Sequence, residues 1–122
     1  MKKSLILFAH GSRDPLWHTP FLSLQRRLQE QDPELIVRCA YLELTQPDLP
    51  ECVAQLIQMG VQQVRILPLF LGMGRHARED LPALLVDIQR SHPNLNFEVL
   101  PVLGENSEWI DLTCKIALHN FR

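Results

Sequence analysis

Two histidines, His10 and His76, each stand just beyond an apolar run of the chain, and Glu43 stands just beyond a third. Imidazole suits borderline divalent cations such as cobalt, nickel, iron and zinc, and a pair of such ligands leaves coordination positions open for an incoming molecule. A site that must pass a metal ion on requires that openness. A carboxylate nearby can orient an imidazole, bind the ion or accept protons, and the position of Glu43 suits all three roles. Arg13 and Arg75 flank the histidines and can grip carboxylates through paired N–H donors. Ser12 and Gly74 adjoin them as further candidate ligand contacts.

Each residue also has a plainer reading. A histidine after a strand can cap a helix or satisfy a backbone carbonyl, and a surface arginine often does no more than solvate a rim. Taken singly, His10 and His76 are as well explained by structure as by chemistry; together with Glu43 they favour chemistry. His18, His92 and His119 fall in or near helical stretches and are assigned no function. Gly72 and Gly74 permit unusual backbone angles and close approach of a ligand, but do not have the spacing of a phosphate-binding loop. Phe70 and Met73 suit the core better than a pocket wall.

The elements that must position these residues alternate strand and helix four times, which implies parallel strands with helical crossovers. Apolar runs at 3–9, 35–42, 64–71 and 96–102 read as strands. The first is continuously apolar, as expected of a strand covered on both faces. Helices follow each strand. The first has Pro15 in its opening turn with Asp14 or Ser12 as cap, and carries Trp17, Phe21, Leu24 and Leu28 at helical spacing until Asp32-Pro33 ends it. The second opens at Thr45-Gln46-Pro47, with Pro47 and Pro50 both in its first turn, carries Val53, Leu56 and Ile57, and stops at Gly60. In the third, Leu81, Leu84, Leu85 and Ile88 form the stripe, Pro82 confines the regular helix to residues downstream of His76, and 72–76 is a loop. The closing helix has Ile110, Cys114, Ala117 and Phe121 as its inner stripe.

The expected architecture is an α/β domain over residues 1–122, with a doubly wound, four-stranded parallel sheet in the order 2-1-3-4 and helices on both faces. In such sheets ligands bind beyond the carboxyl ends of the strands, where the winding direction reverses. With that order the reversal lies between strands one and three. It brings together 9–13 and 72–76, and with them His10 and His76, sixty-six positions apart.

At 122 residues, 46% hydrophobic and 21% charged, the chain has the composition of one ordinary globular domain. Its net charge of -2 speaks against nucleic-acid binding, which calls for a basic stripe. The opening lysines and apolar run imitate a signal peptide, but His10 interrupts the run too early. No stretch approaches the roughly 20 apolar residues of a membrane span. Cys39, Cys52 and Cys114, odd in number and widely spaced, read as reduced thiols of a cytoplasmic protein.

The segments AHGSRDP at 9–15, YLELTQP at 41–47, PLFLGMGRHAREDLP at 68–82 and LPVLG at 100–104 together resemble the CbiX family of class II chelatases, which includes sirohydrochlorin cobaltochelatase and ferrochelatase. The likeness runs over most of the chain, and the ordered set is far more specific than a His-Gly-Ser tripeptide. It implies a short form of an enzyme whose longer members contain two such lobes. It implies that His10 and His76 bind the metal and take up pyrrole protons, and that Glu43 occupies the family's acidic position after the second strand. It further implies insertion of cobalt, iron or nickel into sirohydrochlorin or a related tetrapyrrole, the metal being substrate, with no tightly bound cofactor. A homodimer would supply the second wall of the cleft that a wide macrocycle needs.

Rival readings are a tetrapyrrole or metal carrier of the same fold, a purely structural subunit, a histidine phosphatase and a serine hydrolase. Ala9 stands where a phosphatase's Arg-His-Gly motif has its arginine, and Ser12 lacks the G-x-S-x-G elbow.

Overall fold

The computed structural model describes residues 2–121, with His76 described by its backbone alone. Strand β1 (Lys3–Ala9) leads through a 3-10 turn (Pro15–His18) into α1 (Thr19–Gln31), and β2 (Ile36–Tyr41) precedes α2 (Leu49–Gln58). Then come β3 (Gln63–Pro68), α3 (Arg75–Ser91), β4 (Asn96–Val99), a second 3-10 turn (Leu103–Glu105) and α4 (Ser107–Leu118). All neighbouring strands run parallel, in the order β2-β1-β3-β4. The expected winding is therefore the observed one, and β1 sits in the interior beside β3.

One face of the sheet makes the core. Ile6 and Phe8 of β1 with Val64 and Ile66 of β3 pack against Cys52, Val53 and Leu56 of α2 and Leu81 and Ile88 of α3, all buried. Removing each such side chain from water contributes about 1.5–3 kcal/mol. On the other face α1 lies over β2. Its Gln25 donates to the Val37 carbonyl at 2.8 Å, while Gln29 accepts from the Val37 N–H at 3.2 Å and donates to the Leu35 carbonyl. These amides occupy backbone groups that an edge strand would otherwise offer to another chain.

Local chemistry fixes the helix starts. Asp14 accepts from the Leu16 N–H, Asp48 from the Glu51 N–H and Asn106 from the Trp109 N–H, each satisfying a donor that the first helical turn leaves free. Gly60, at φ 85°, closes α2 in the left-handed region.

Several expected boundaries move. Strands β2, β3 and β4 are shorter than the apolar runs suggest; β3 ends on Pro68 and Pro101 follows β4, and proline cannot donate to a ladder. Pro47 lies outside α2, because Asp48 is the cap and Pro50 alone occupies the first turn. Pro82 lies inside α3 rather than at its start, so Arg75 and His76 belong to the first helical turn and not to a loop. Pro82 deprives only the Arg78 carbonyl of its N–H partner, and both residues are on the exposed side, where water can replace it. The largest departure is α4: its expected inner stripe is exposed, and the helix rests chiefly on the short turn 103–105. The pattern shows that the helix has an apolar face, but not what covers it.

The buried Cys52 makes stability sensitive to alkali. Burial pushes its thiol up to about 12 from an ordinary 9.0, with Arg38 pulling down slightly and Cys39 pushing up. Below pH 9 the thiol is protonated in both states and the stability is fully present. Between about 9 and about 12 the unfolded chain releases a proton that the folded chain retains. Unfolding free energy should then fall by about 1.4 kcal/mol per pH unit from this group. Urea titrations from pH 8 to 11 should show that slope, and Cys52→Ala should remove this part of it.

Candidate functional site at the carboxyl edge of the sheet

Beyond their last paired residues, β1 and its neighbours keep hydrogen bonding, and this carries the site residues into register. The Leu42 and Glu43 amides donate to the Ala9 and His10 carbonyls, both at 2.9 Å, and the Leu69 amide donates to the Phe8 carbonyl at 2.7 Å. His10 and Glu43 thus end adjacent strands side by side, both exposed. The His10 ring lies on Phe70, centroids 4.5 Å apart at 51°, and Phe70 in turn meets Phe8 edge-on at 5.7 Å. Phe70 is 2% exposed, so it belongs to the core and at the same time floors the imidazole from β3's side.

Gly11 turns the chain away at φ 100°, and a Cβ there would overlap the Glu43 carbonyl oxygen. The glycine is what lets the two strand ends approach. On Glu43's side the chain passes through Leu44 at φ 65°, a left-handed conformation that costs a branched residue on the order of 1 kcal/mol. The Gln46-Pro47 peptide is cis.

Loop 10–14 is braced from behind. Thr45 Oγ1 donates to the Ser12 carbonyl at 2.7 Å and accepts from the Ser12 N–H at 3.2 Å. His18 Nε2 donates to the same carbonyl at 2.8 Å, which leaves Nδ1 to accept from the Tyr41 hydroxyl at 3.3 Å. Trp17 packs on Phe21 and near Tyr41, closing the cage. Burial, then the nearby Cys39, pushes the Tyr41 hydroxyl up to about 12, and burial likewise raises the Cys39 thiol. The Ser12 hydroxyl accepts from the Asp14 N–H at 3.0 Å, so it shapes the loop.

Thr45 and His18 are the residues that sequence reasoning missed. Their link to Ser12 joins separate elements, and no local pattern signals it. Thr45→Val should cost about 1–3 kcal/mol, since it leaves the Ser12 N–H without its side-chain acceptor and takes from the Ser12 carbonyl one of its two side-chain donors, the other being His18. Chemical denaturation checks the cost, and faster hydrogen exchange confined to 10–14 would locate it.

Arg13 is exposed and has no ion-pair partner among the described residues. Arg75 pairs with Glu79 at 3.0 Å, with side chains 85% and 63% exposed. Such a surface pair is worth about 0.5 kcal/mol or less, which a bound carboxylate easily outcompetes. Gly74 caps α3 at φ -65°, and neither it nor Gly72 has anything within 4 Å of where a Cβ would stand. Neither adopts the left-handed angles that glycine permits; what they leave is open space before α3. Gly104, by contrast, is constrained as Gly11 is, since its Cβ would overlap the Leu71 backbone.

Beside Glu43 a depression of about 370 Å³ is rimmed by Glu43, Asp48 and Glu51. The Glu51 carboxyl is raised by partial desolvation and by Asp48. Among the described residues no three His, Cys, Asp or Glu side chains gather closely enough to hold a metal ion. The His76 side chain lies outside the described residues; its backbone begins the helix that follows β3, the strand paired with β1. No helix among the described residues is long and apolar enough to cross a membrane.

Solved structures share this architecture. A CbiX protein from Marinobacter aquaeolei VT8 superposes with TM-score 0.79 at 31% identity, covering 95% of this chain and 93% of that one. SirB from Bacillus subtilis subspecies spizizenii, a sirohydrochlorin chelatase solved with cobalt, matches in fold alone: TM-score 0.75, 19% identity, 88% of this chain and 46% of that one. A sirohydrochlorin cobaltochelatase of Methanocaldococcus jannaschii is 31% identical over 90 residues, 74% of this chain and 63% of the relative. The chain spans 36–63% of the length of such curated relatives. Residues 4–117 match the CbiX family model, and this chain belongs to the CbiX family.

Proposed function

We propose that this chain is a cytoplasmic chelatase lobe, spanning residues 1–122, that inserts a divalent metal ion into sirohydrochlorin or a related tetrapyrrole. The observation that carries the reading is His10: an exposed imidazole on an aromatic floor, at the carboxyl end of a central strand, in a chain whose residues 4–117 match CbiX. The cobaltochelatase name of its methanogen relative supports the substrate class.

In this reading His10 and His76 hold the incoming cobalt, iron or nickel on one face of the macrocycle. Two neutral imidazoles bind moderately and let go, whereas four thiolates would retain the ion. Insertion releases two pyrrole protons, and imidazole is a competent acceptor near neutral pH. Glu43, tied by its amide to the His10 carbonyl, orients the ring or relays a proton. Arg13 and Arg75, with Ser12 and Gly74 beside them, receive the acidic side chains of the tetrapyrrole and set the ring over the ion. The site is open on one side, and a second copy supplies the facing wall.

The test is to incubate the purified chain with sirohydrochlorin and, separately, cobalt, iron or nickel, following the visible spectrum of the metallated ring. Accelerated metallation is expected with at least one metal. Sirohydrochlorin binding without acceleration would replace this reading with a carrier. Glu43→Gln should lower the insertion rate about tenfold, as loss of a group supporting a ligand does.

A further inference from the structure

Two exposed leucines adjoin the residues that hold His10. Leu44 follows Glu43, whose amide bonds the His10 carbonyl at 2.9 Å, and Leu71 follows Phe70, the floor of the imidazole. Because β1 runs between β2 and β3, with adjacent strands about 4.8 Å apart, the two leucines belong to opposite flanks of His10. They are 55% and 66% exposed. An exposed leucine is ordinary by itself. What sets these two apart is how firmly each backbone is held.

The Thr45 amide donates to the Glu43 carbonyl at 2.8 Å, so residues 43–45 close a tight turn with Leu44 at its tip, at φ 65°. This is the strained form of such a turn. Glycine or asparagine would adopt that angle at less cost, and the leucine gains little burial in return. The turn is locked from both sides, because Gly11 leaves no room beside the Glu43 carbonyl and Thr45 Oγ1 is bonded to both backbone groups of Ser12. Strain that its surroundings over-determine, at a side chain the fold does not bury, points to a contact with something outside the chain. Leu71 is fixed by other means. The Gly104 amide donates to the Phe70 carbonyl at 2.9 Å, and a Cβ on Gly104 would stand 1.6 Å from the Leu71 carbonyl oxygen. With Phe70 turned into the core, the next side chain is left outside.

We propose that Leu44 and Leu71 are a pair of apolar seats for the tetrapyrrole ring, one on each flank of His10. The inference rests on the chelatase reading for the identity of the ligand, and adds which residues of this chain select a wide, flat, conjugated ring over a bare ion. A hydrated cation gains nothing from apolar side chains. A tetrapyrrole is apolar across its face and acidic along its edge, and the residues are laid out in the same sense: a leucine beside each contact of His10, with Arg13 and Arg75 farther along their loops. Covering most of one leucine side chain with the ring corresponds to about a tenfold gain in affinity.

The test is a titration of the purified full chain with sirohydrochlorin in the absence of metal, followed by absorbance. Leu44→Asn and Leu71→Ser should each weaken binding about tenfold, and together about a hundredfold. The deficit should persist at high salt, which would mask a lost arginine contact. Leu44→Asn should also melt no lower than the parent, because asparagine accepts the left-handed angle; a leucine serving only the fold would instead lower the melting temperature and leave the affinity unchanged. Leu44→Met should restore most of the affinity. Val86→Ser, at an exposed position about 16 Å along α3 from its first turn, should change nothing, and cobalt binding without the ring should be the same in every variant. Parental affinity in both leucine variants, or an equal loss in Val86→Ser, would overturn the seats and leave the chelatase reading standing. Ring binding without metallation would overturn the chelatase reading and leave the seats standing, whereas a chain that binds no sirohydrochlorin overturns both.

Discussion

Replacing His10 by alanine is expected to abolish metal insertion while leaving the domain folded. The imidazole is exposed and lies on Phe70 without filling the core, so its loss should change stability by about 0.5 kcal/mol or less. Its proposed work is large by comparison: one of two metal ligands and a proton acceptor, for which a fall in insertion rate of about 10²-fold or more is expected. His76→Ala should do the same. Rates measured from the spectrum of the metallated ring, beside thermal melts of each variant, separate chemistry from folding. Near-normal rates in both variants would remove the ligand assignment, whatever the metal preference.

Gly11→Ala should show the opposite balance, damaging fold and site together. At φ 100° a Cβ is strained, and this one would also overlap the Glu43 carbonyl. The expected loss is at least about 2 kcal/mol in unfolding free energy. Because the clash pushes the ends of β1 and β2 apart, the Glu43 to His10 backbone bond should weaken and insertion slow as well. Gly60 is the matched control. Its φ is 85° with open space around it, so Gly60→Ala should cost only about 1 kcal/mol and leave the rate unchanged. Denaturant titrations of the pair decide whether close approach or backbone angle dominates at Gly11. Equal losses would reject the contact with Glu43 as the cause.

Much of this arrangement was legible in the order of residues. Near-continuous apolar runs separated by capped helical stretches imply parallel strands, and right-handed crossovers leave few ways to wind them; the order β2-β1-β3-β4 follows. That order places the segments after β1 and β3 at one edge, and the structure puts His10 against Phe70 there. The first cap was legible too, since Asp14 acts within two residues of itself; the caps Asp48 and Asn106 came only from the structure.

Contacts between distant segments were not legible. Thr45 reaches Ser12 across thirty-three positions and His18 reaches Tyr41 across twenty-three, and neither pair has a periodic signature. Gly72 and Gly74 drew attention as glycines in a loop, yet it is Gly104 that the Leu71 backbone presses on. Spacing cannot tell a glycine that is needed from one that is merely allowed.

What the chain determined by itself is the set of elements, their winding and the sheet edge that the segments after β1 and β3 share, because hydrophobic period and crossover handedness act locally or leave few alternatives. Only the tertiary structure decided how loop 10–14 is braced, where α3 begins and that α4 stands uncovered. The physical reason is that burial is a property of surfaces brought together: a stripe of Ile110, Ile116 and their neighbours states the need for a partner surface, and three-dimensional packing alone reveals that this chain does not supply it to itself.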